Sequence, residues 1–137
     1  MHPARGRLRE AGGAIAGAWF LLCGYNVSFP IEPALFDLLA AMPGGVKRVQ
    51  VKTTTCNTKD GWMVSVGRRP YSPGNRAGLV PYDPEEIDYF FIVDGELRLY
   101  LIPSRALAGR VQVLLRNYAQ FAVGSLRSLW PDAVPAA

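Results

Sequence analysis

Asp37, Gln50 and Lys52 are the residues of this chain best suited to a reaction at phosphorus. A carboxylate and an amide oxygen, joined by the backbone carbonyl of Val51, form a hard donor set of the kind that holds Mg2+ or Mn2+ with several waters retained. An ion there polarises a phosphodiester and acidifies a bound water. Lys52 supplies a positive charge that orients the water or offsets the charge gathering on the phosphate in the transition state. One acid, one amide and one lysine also make up an ordinary solvated strand face. The reading therefore depends on whether the elements bring them together.

The rest of the inventory narrows the chemistry. A single histidine, His2, and two isolated cysteines, Cys23 and Cys56, exclude zinc fingers, His-ligated metal sites and imidazole acid–base catalysis. Cysteines this sparse fit a reducing compartment, so a cytoplasmic protein is expected. The 137 residues, half of them hydrophobic, suffice for one domain spanning 1–137, with flexible ends expected at 1–6 and 131–137. The longest apolar stretch, Ala14 to Cys23, is ten residues, far short of the ~20 needed to cross a bilayer. No membrane partner and no organic cofactor are expected. Fifteen Lys and Arg against 11 Asp and Glu give a formal charge of +4, which favours a polyanionic partner and nucleic acid first.

Three elements must position the candidate residues. Leu8, Ala11, Ile15, Ala18, Trp19 and Leu22 recur at helical spacing and Gly24 follows, which predicts a helix over roughly 7–23. Two strands are predicted at 36–41 and 47–53, joined by the turn sequence Met42-Pro43-Gly44-Gly45. Further strands are expected at 25–29, 62–66, 89–93, 97–102 and 111–115, with a long Pro- and Gly-rich loop at 68–84 and a second helix from Ser104. If the turn centres between Pro43 and Gly44, opposed residues have numbers summing to 87, and Asp37 lies across from Gln50. Lys52 then shares their face about 7 Å further along. Phe36, Leu38 and Ala40 oppose Val49, Val51 and Thr53 on the other, apolar face. A turn with an odd number of residues would break this grouping.

Donors for DNA lie nearby in sequence. Thr53, Thr54 and Thr55 carry hydroxyls beside the candidate site, although threonine runs are also what strands favour. Lys59, Arg68, Arg69, Tyr71, Asn75 and Arg76 place cations, an amide and an aromatic on two loops, a composition suited to backbone and base contacts. Trp62, Tyr89, Phe90 and Phe91 are expected in the core, whereas Tyr118, Phe121 and Trp130 suit either a core lid or a subunit interface.

Asp37 followed after twelve residues by Gln50-Val51-Lys52-Thr53 resembles the PD-(D/E)xK nuclease motif, in the variant whose second acid is glutamine. Flanking phrases are similar too: Gly24-Tyr25-Asn26-Val27 with Pro30, Phe36-Asp37-Leu38-Leu39, Thr53-Thr54, and Asp88-Tyr89-Phe90 ahead of Tyr100-Leu101-Ile102-Pro103. They resemble the small intron-encoded homing endonucleases of that superfamily over about residues 8–123. The resemblance implies an α/β (α+β) restriction-endonuclease-like fold, an αβββαβ core with a mixed central sheet flanked by helices. It also implies Mg2+- or Mn2+-dependent cleavage of double-stranded DNA, assembly as a homodimer or homotetramer, and a bacterial or phage origin. By it, Asp37 and Gln50 belong to the metal site and Lys52 is catalytic. Such nucleases often add a glutamate on the first helix, and the acid available is Glu10, which on an ideal helix points away from the Leu8, Ile15 and Leu22 stripe. A Holliday-junction resolvase, a restriction-type nuclease, or a DNA-binding module that keeps the fold without the chemistry are the alternatives.

Overall fold

The N-terminal apolar repeat forms helix α1 (Leu8–Leu22). In the computed structural model, which describes residues 1–70 and 78–128, this helix ends in a Schellman motif: Gly24 N–H donates to Leu21 O and Tyr25 N–H to Phe20 O. The face it buries differs from the stripe of large apolar residues. Ala18 and Leu22 are exposed, and the buried positions are Leu8, Gly12, Ala16, Gly17 and Phe20. Small residues decide this. A Cβ on Gly12 would lie 2.7 Å from Thr53 Cγ2 and 3.3 Å from Val51 Cγ1, so its absence lets the helix axis sit close over the sheet.

Strands β1 (Val27–Ser28), β2 (Leu38–Met42) and β3 (Gly45–Thr53) follow. The β2–β3 hairpin has the expected register, from Leu38 opposite Val49 to Met42 opposite Gly45. Pro43 presets the first turn position and Gly44 takes φ +92° at the second, as a type II turn requires. β2 starts two residues later than the alternation suggested, and Phe36 packs on the opposite core from Leu38.

Next come β4 (Cys56–Thr58), β5 (Gly61–Ser65), β6 (Gly67–Arg68), β7 (Val80–Pro81), β8 (Tyr89–Val93), β9 (Arg98–Pro103), β10 (Gln112–Leu114) and β11 (Ala122–Ser125). A six-stranded mixed sheet has the order β1-β2-β3-β8-β9-β11, in which only β3 and β8 run parallel. The αβββαβ pattern places a helix in the crossover between those two strands. Among the described residues, β4 to β7 occupy that crossover instead. The helix expected from Ser104 is a single 3-10 turn, Ser104–Leu107.

The central sheet separates two cores. α1 presses Leu8, Ala16 and Phe20 onto Leu38, Val49, Phe91 and Val93. On the other face, Trp62, Val64 and Val66 from the β4–β5 region and Val113 and Leu115 cover Phe90, Ile92, Tyr100 and Ile102. β8 feeds both cores alternately, which explains its uninterrupted apolar sequence. Burial of Phe20, Phe90 and Phe91 contributes about 1.5–3 kcal/mol each. Trp62 is buried with them, as expected, while Tyr89 is half-buried. Tyr118 and Phe121 stack at 6.4 Å and pack against the second core, and Trp130 lies outside the described residues.

The parallel pairing is fastened at its start by a fork. The Arg48 guanidinium donates to Asp88 through Nε at 3.0 Å and NH2 at 3.3 Å, and Arg48 N–H donates to Asp88 Oδ2 at 2.8 Å. Asp88 N–H returns a bond to Arg48 O.

Candidate active site

β3 outlasts its hairpin partner. Its pairing with β2 ends at Val49, so residues 50–53 have β8 along one edge and, among the described residues, no strand along the other. That gap is the cleft. Peptide groups alternate in direction along a strand. Val49 O accepts Asp37 N–H at 2.9 Å and Val51 N–H donates to Asp37 Oδ2 at 2.7 Å, so both face the open edge, and the Val51 carbonyl faces it with them. The Asp37 carboxylate thus occupies the place of a missing strand. Its Oδ1 has no hydrogen-bond donor among the described residues.

The cleft has a volume of ≈ 630 Å³ and is lined by Asp37, Gln50, Val51, Lys52 and Thr53 together. Gln50 is only 9% exposed, yet its amide has no hydrogen-bond partner among the described residues, an arrangement that suits a ligand donor. Lys52 Nζ donates to Gly67 O at 3.2 Å and lies 5.2 Å from the centre of the Tyr82 ring. Burial pushes the Asp37 carboxyl above its usual range; the Val51 N–H and Lys52 oppose the rise and Glu32 adds to it. Burial likewise holds the Lys52 ammonium below its usual range, with Asp37 opposing and Arg9 reinforcing the fall. The site therefore keeps an acid and a base close together, each costly to charge.

Four further residues line the same cleft: Arg9, Gly13, Phe29 and Ser65. Arg9 is a cleft residue that the spacing of large apolar residues concealed. With Gly12 and Ala16 facing the sheet, Arg9, about 100° around from Leu8, starts from the sheet-facing side of α1, and its exposed side chain borders the cleft, whereas Glu10 lies a further 100° round. Glu10 is exposed and is not among the cleft residues. The signal that would have revealed this was the run of small residues at Gly12, Gly13, Ala16 and Gly17.

The candidate DNA contacts divide. Thr53 lines the cleft and Thr55 is exposed, but Thr54 is buried: its hydroxyl donates to Met63 O and accepts Cys56 N–H. Lys59 lies on the exposed turn between β4 and β5, and Arg69 is exposed. Arg68 is half-buried, and its Nε has no hydrogen-bond partner among the described residues. Tyr71, Asn75 and Arg76 lie outside the described residues. No group of three or more His, Cys, Asp or Glu side chains gathers among the described residues, so any ion held at the cleft relies on Asp37, amide or carbonyl oxygens and water. No described helix is long and apolar enough to cross a membrane.

No curated protein matches this chain. The solved structure of a bacterial homing endonuclease, I-Ssp6803I, is 25% identical over a match covering 76% of this chain and 72% of the other, with a TM-score of 0.62. A family model described as PD-(D/E)XK endonuclease matches residues 6–120, a span containing every cleft residue named above, and the chain belongs to that family.

Proposed function

We infer that the protein is a divalent-metal-dependent homing endonuclease that hydrolyses phosphodiester bonds of double-stranded DNA. The observation that carries this reading is the convergence of Asp37, Gln50 and Lys52 on one cleft, beside a Val51 carbonyl facing the open edge of β3. The donor set fits Mg2+ or Mn2+: a carboxylate with one oxygen unengaged, an unpartnered amide and a strand carbonyl are all hard oxygen ligands. A bound divalent ion supplies Lewis acidity to the phosphate and lowers the pKa of an attacking water.

The chain's own residues do the rest. Val51 N–H fixes the rotation of the Asp37 carboxylate. The Lys52 ammonium, which lines the cleft, supplies the positive charge that offsets the negative charge growing as water oxygen joins phosphorus and the ester oxygen departs. Arg9 offers a planar fork of donors to a phosphate in the same cleft. Thr53, Thr55, Lys59, Arg68, Arg69 and the residues Tyr71, Asn75 and Arg76 supply the duplex contacts. Glu10 remains the acid that the family pattern would place on α1, although its side chain stands away from the cleft.

A single cleft addresses one scissile phosphate, and a double-strand break requires two. We therefore assign a homodimer or homotetramer, with a twofold axis matching a near-palindromic target. The test is Mg2+-dependent cleavage of plasmid and of a randomised duplex library, beside Asp37→Ala and Lys52→Ala, with sedimentation of the same protein. Loss of cutting in both variants, retained duplex binding by Lys52→Ala in Ca2+, and a dimer or larger species are expected. Binding without cutting in either Mg2+ or Mn2+ would replace the enzyme with a DNA-binding module.

A further inference from the structure

Lys52 reaches the cleft from a strand far in sequence from the groups that hold it. Gly67 opens β6, pairs with Pro81 of β7, and gives its carbonyl to Lys52 Nζ at 3.2 Å. Tyr82 follows Pro81 directly and sets its ring 5.2 Å from the same nitrogen. One two-stranded ribbon therefore supplies both contacts. Its position is fixed on both sides. A Cβ on Gly67 would lie 3.0 Å from Leu79 Cβ and 3.1 Å from Val111 Cβ, and the Tyr82 ring packs edge-on against buried Phe90 at 5.3 Å and 81°.

We propose that Tyr82 is a positioning residue for Lys52: its ring face and the Gly67 carbonyl fix the ammonium so that it presents a donor to the scissile phosphate. An ammonium has three N–H groups. One goes to Gly67 O and the ring face takes up a second direction, which leaves a third free for the cleft that Lys52 lines with Asp37 and Arg9. Without the ring, a four-carbon side chain is free to sample other rotamers. The proposal rests on the endonuclease reading for its effect on rate, but not for the contact itself.

Two measurements separate them. In Mg2+, Tyr82→Leu should lower kcat about tenfold, the scale of a desolvated cation–π contact, and leave KM and duplex affinity in Ca2+ within about twofold. Tyr82→Phe, which keeps the ring, should restore kcat. The second measurement needs no activity. The chain has three lysines, Lys47, Lys52 and Lys59. Under acetylation by an N-hydroxysuccinimide ester, mapped by peptide mass, Lys52 should react more slowly than Lys59 in the parent. It should rise severalfold in Tyr82→Leu and not in Tyr82→Phe, with Lys47 and Lys59 unchanged. An unchanged Lys52 labelling rate in Tyr82→Leu, or equal losses of kcat in Leu and Phe variants, overturns the role of the ring. A parent that never cuts, but shows the labelling pattern, overturns the nuclease reading and leaves the positioning contact standing.

Discussion

The Asp37 carboxylate accepts the Val51 N–H at 2.7 Å across the open edge of β3, at the point where β2 no longer supplies a partner. One side chain thereby completes a strand's hydrogen bonding and holds an acid at the mouth of the cleft. Burial makes that acid expensive to ionise, which sets the sign of the first prediction.

Asp37→Asn should raise the melting temperature at neutral pH while abolishing cleavage. The carboxyl's folded pKa stands above its ordinary 3.8, so ionisation weakens the fold, and the advantage of asparagine is present above that raised pKa. The gap should close as the pH falls through it towards 3.8, where the parent is also neutral. Mg2+ or Mn2+ should stabilise the parent, by about 2.7 kcal/mol at a hundred times the dissociation constant, and not the variant. Scanning calorimetry with and without EDTA reads both effects. A lower melting temperature for Asp37→Asn at neutral pH would contradict the desolvation argument.

Asp88→Asn should act with the opposite sign. The Arg48 fork holds the Asp88 carboxyl below its usual range, so its contribution is present above 3.8 and is lost as pH falls through the depressed value. The side chains are 35% and 28% exposed, which limits the loss at neutral pH to about 1 kcal/mol. Urea unfolding should show this loss at pH 7 and almost none in strong acid. A loss that persists there would point to packing rather than charge.

Arg9 and Glu10 are neighbours with different surroundings, and substitution should separate them. Arg9→Ala should lower kcat/KM by roughly 10- to 100-fold, as expected for losing a charged hydrogen bond of about 1.5–3 kcal/mol to phosphate. Glu10→Ala should change it by no more than about twofold, the scale of an exposed charge. Steady-state cleavage of one cognate duplex measures both, and the reverse ranking would place the α1 acid in the mechanism.

Gly12→Ala should cost about 1–3 kcal/mol of stability, because its Cβ meets Thr53 Cγ2 at 2.7 Å and forces α1 away from β3. Gly13→Ala has nothing within 4 Å of its Cβ and should be neutral or slightly stabilising. Denaturant midpoints at constant m-value distinguish these outcomes. A Gly12→Ala protein as stable as the parent would mean that the helix is not seated on its glycine.

Local rules carried the hairpin. Pro43-Gly44 set a two-residue turn, and the alternation along β3 then left only one register that buries Leu38, Ala40 and Val49. Asp37, Gln50 and Lys52 were therefore legible as a group, because a period of two and one turn suffice to relate them. The run of apolar residues in β8 was legible for the same reason. The rotation of α1 was not. It follows from how closely two backbones approach at Gly12, a distance that belongs to the helix and sheet together, and it decided that Arg9 rather than Glu10 borders the cleft. The strands that β4 to β7 form among the described residues of the crossover, and the hold of Gly67 and Tyr82 on Lys52, likewise depend on contacts between segments apart in sequence. The sequence by itself determined which side chains share a strand face, since that is fixed by neighbouring peptide geometry. Only the tertiary structure decided which groups surround them, since that depends on packing between elements whose spacing no local pattern encodes.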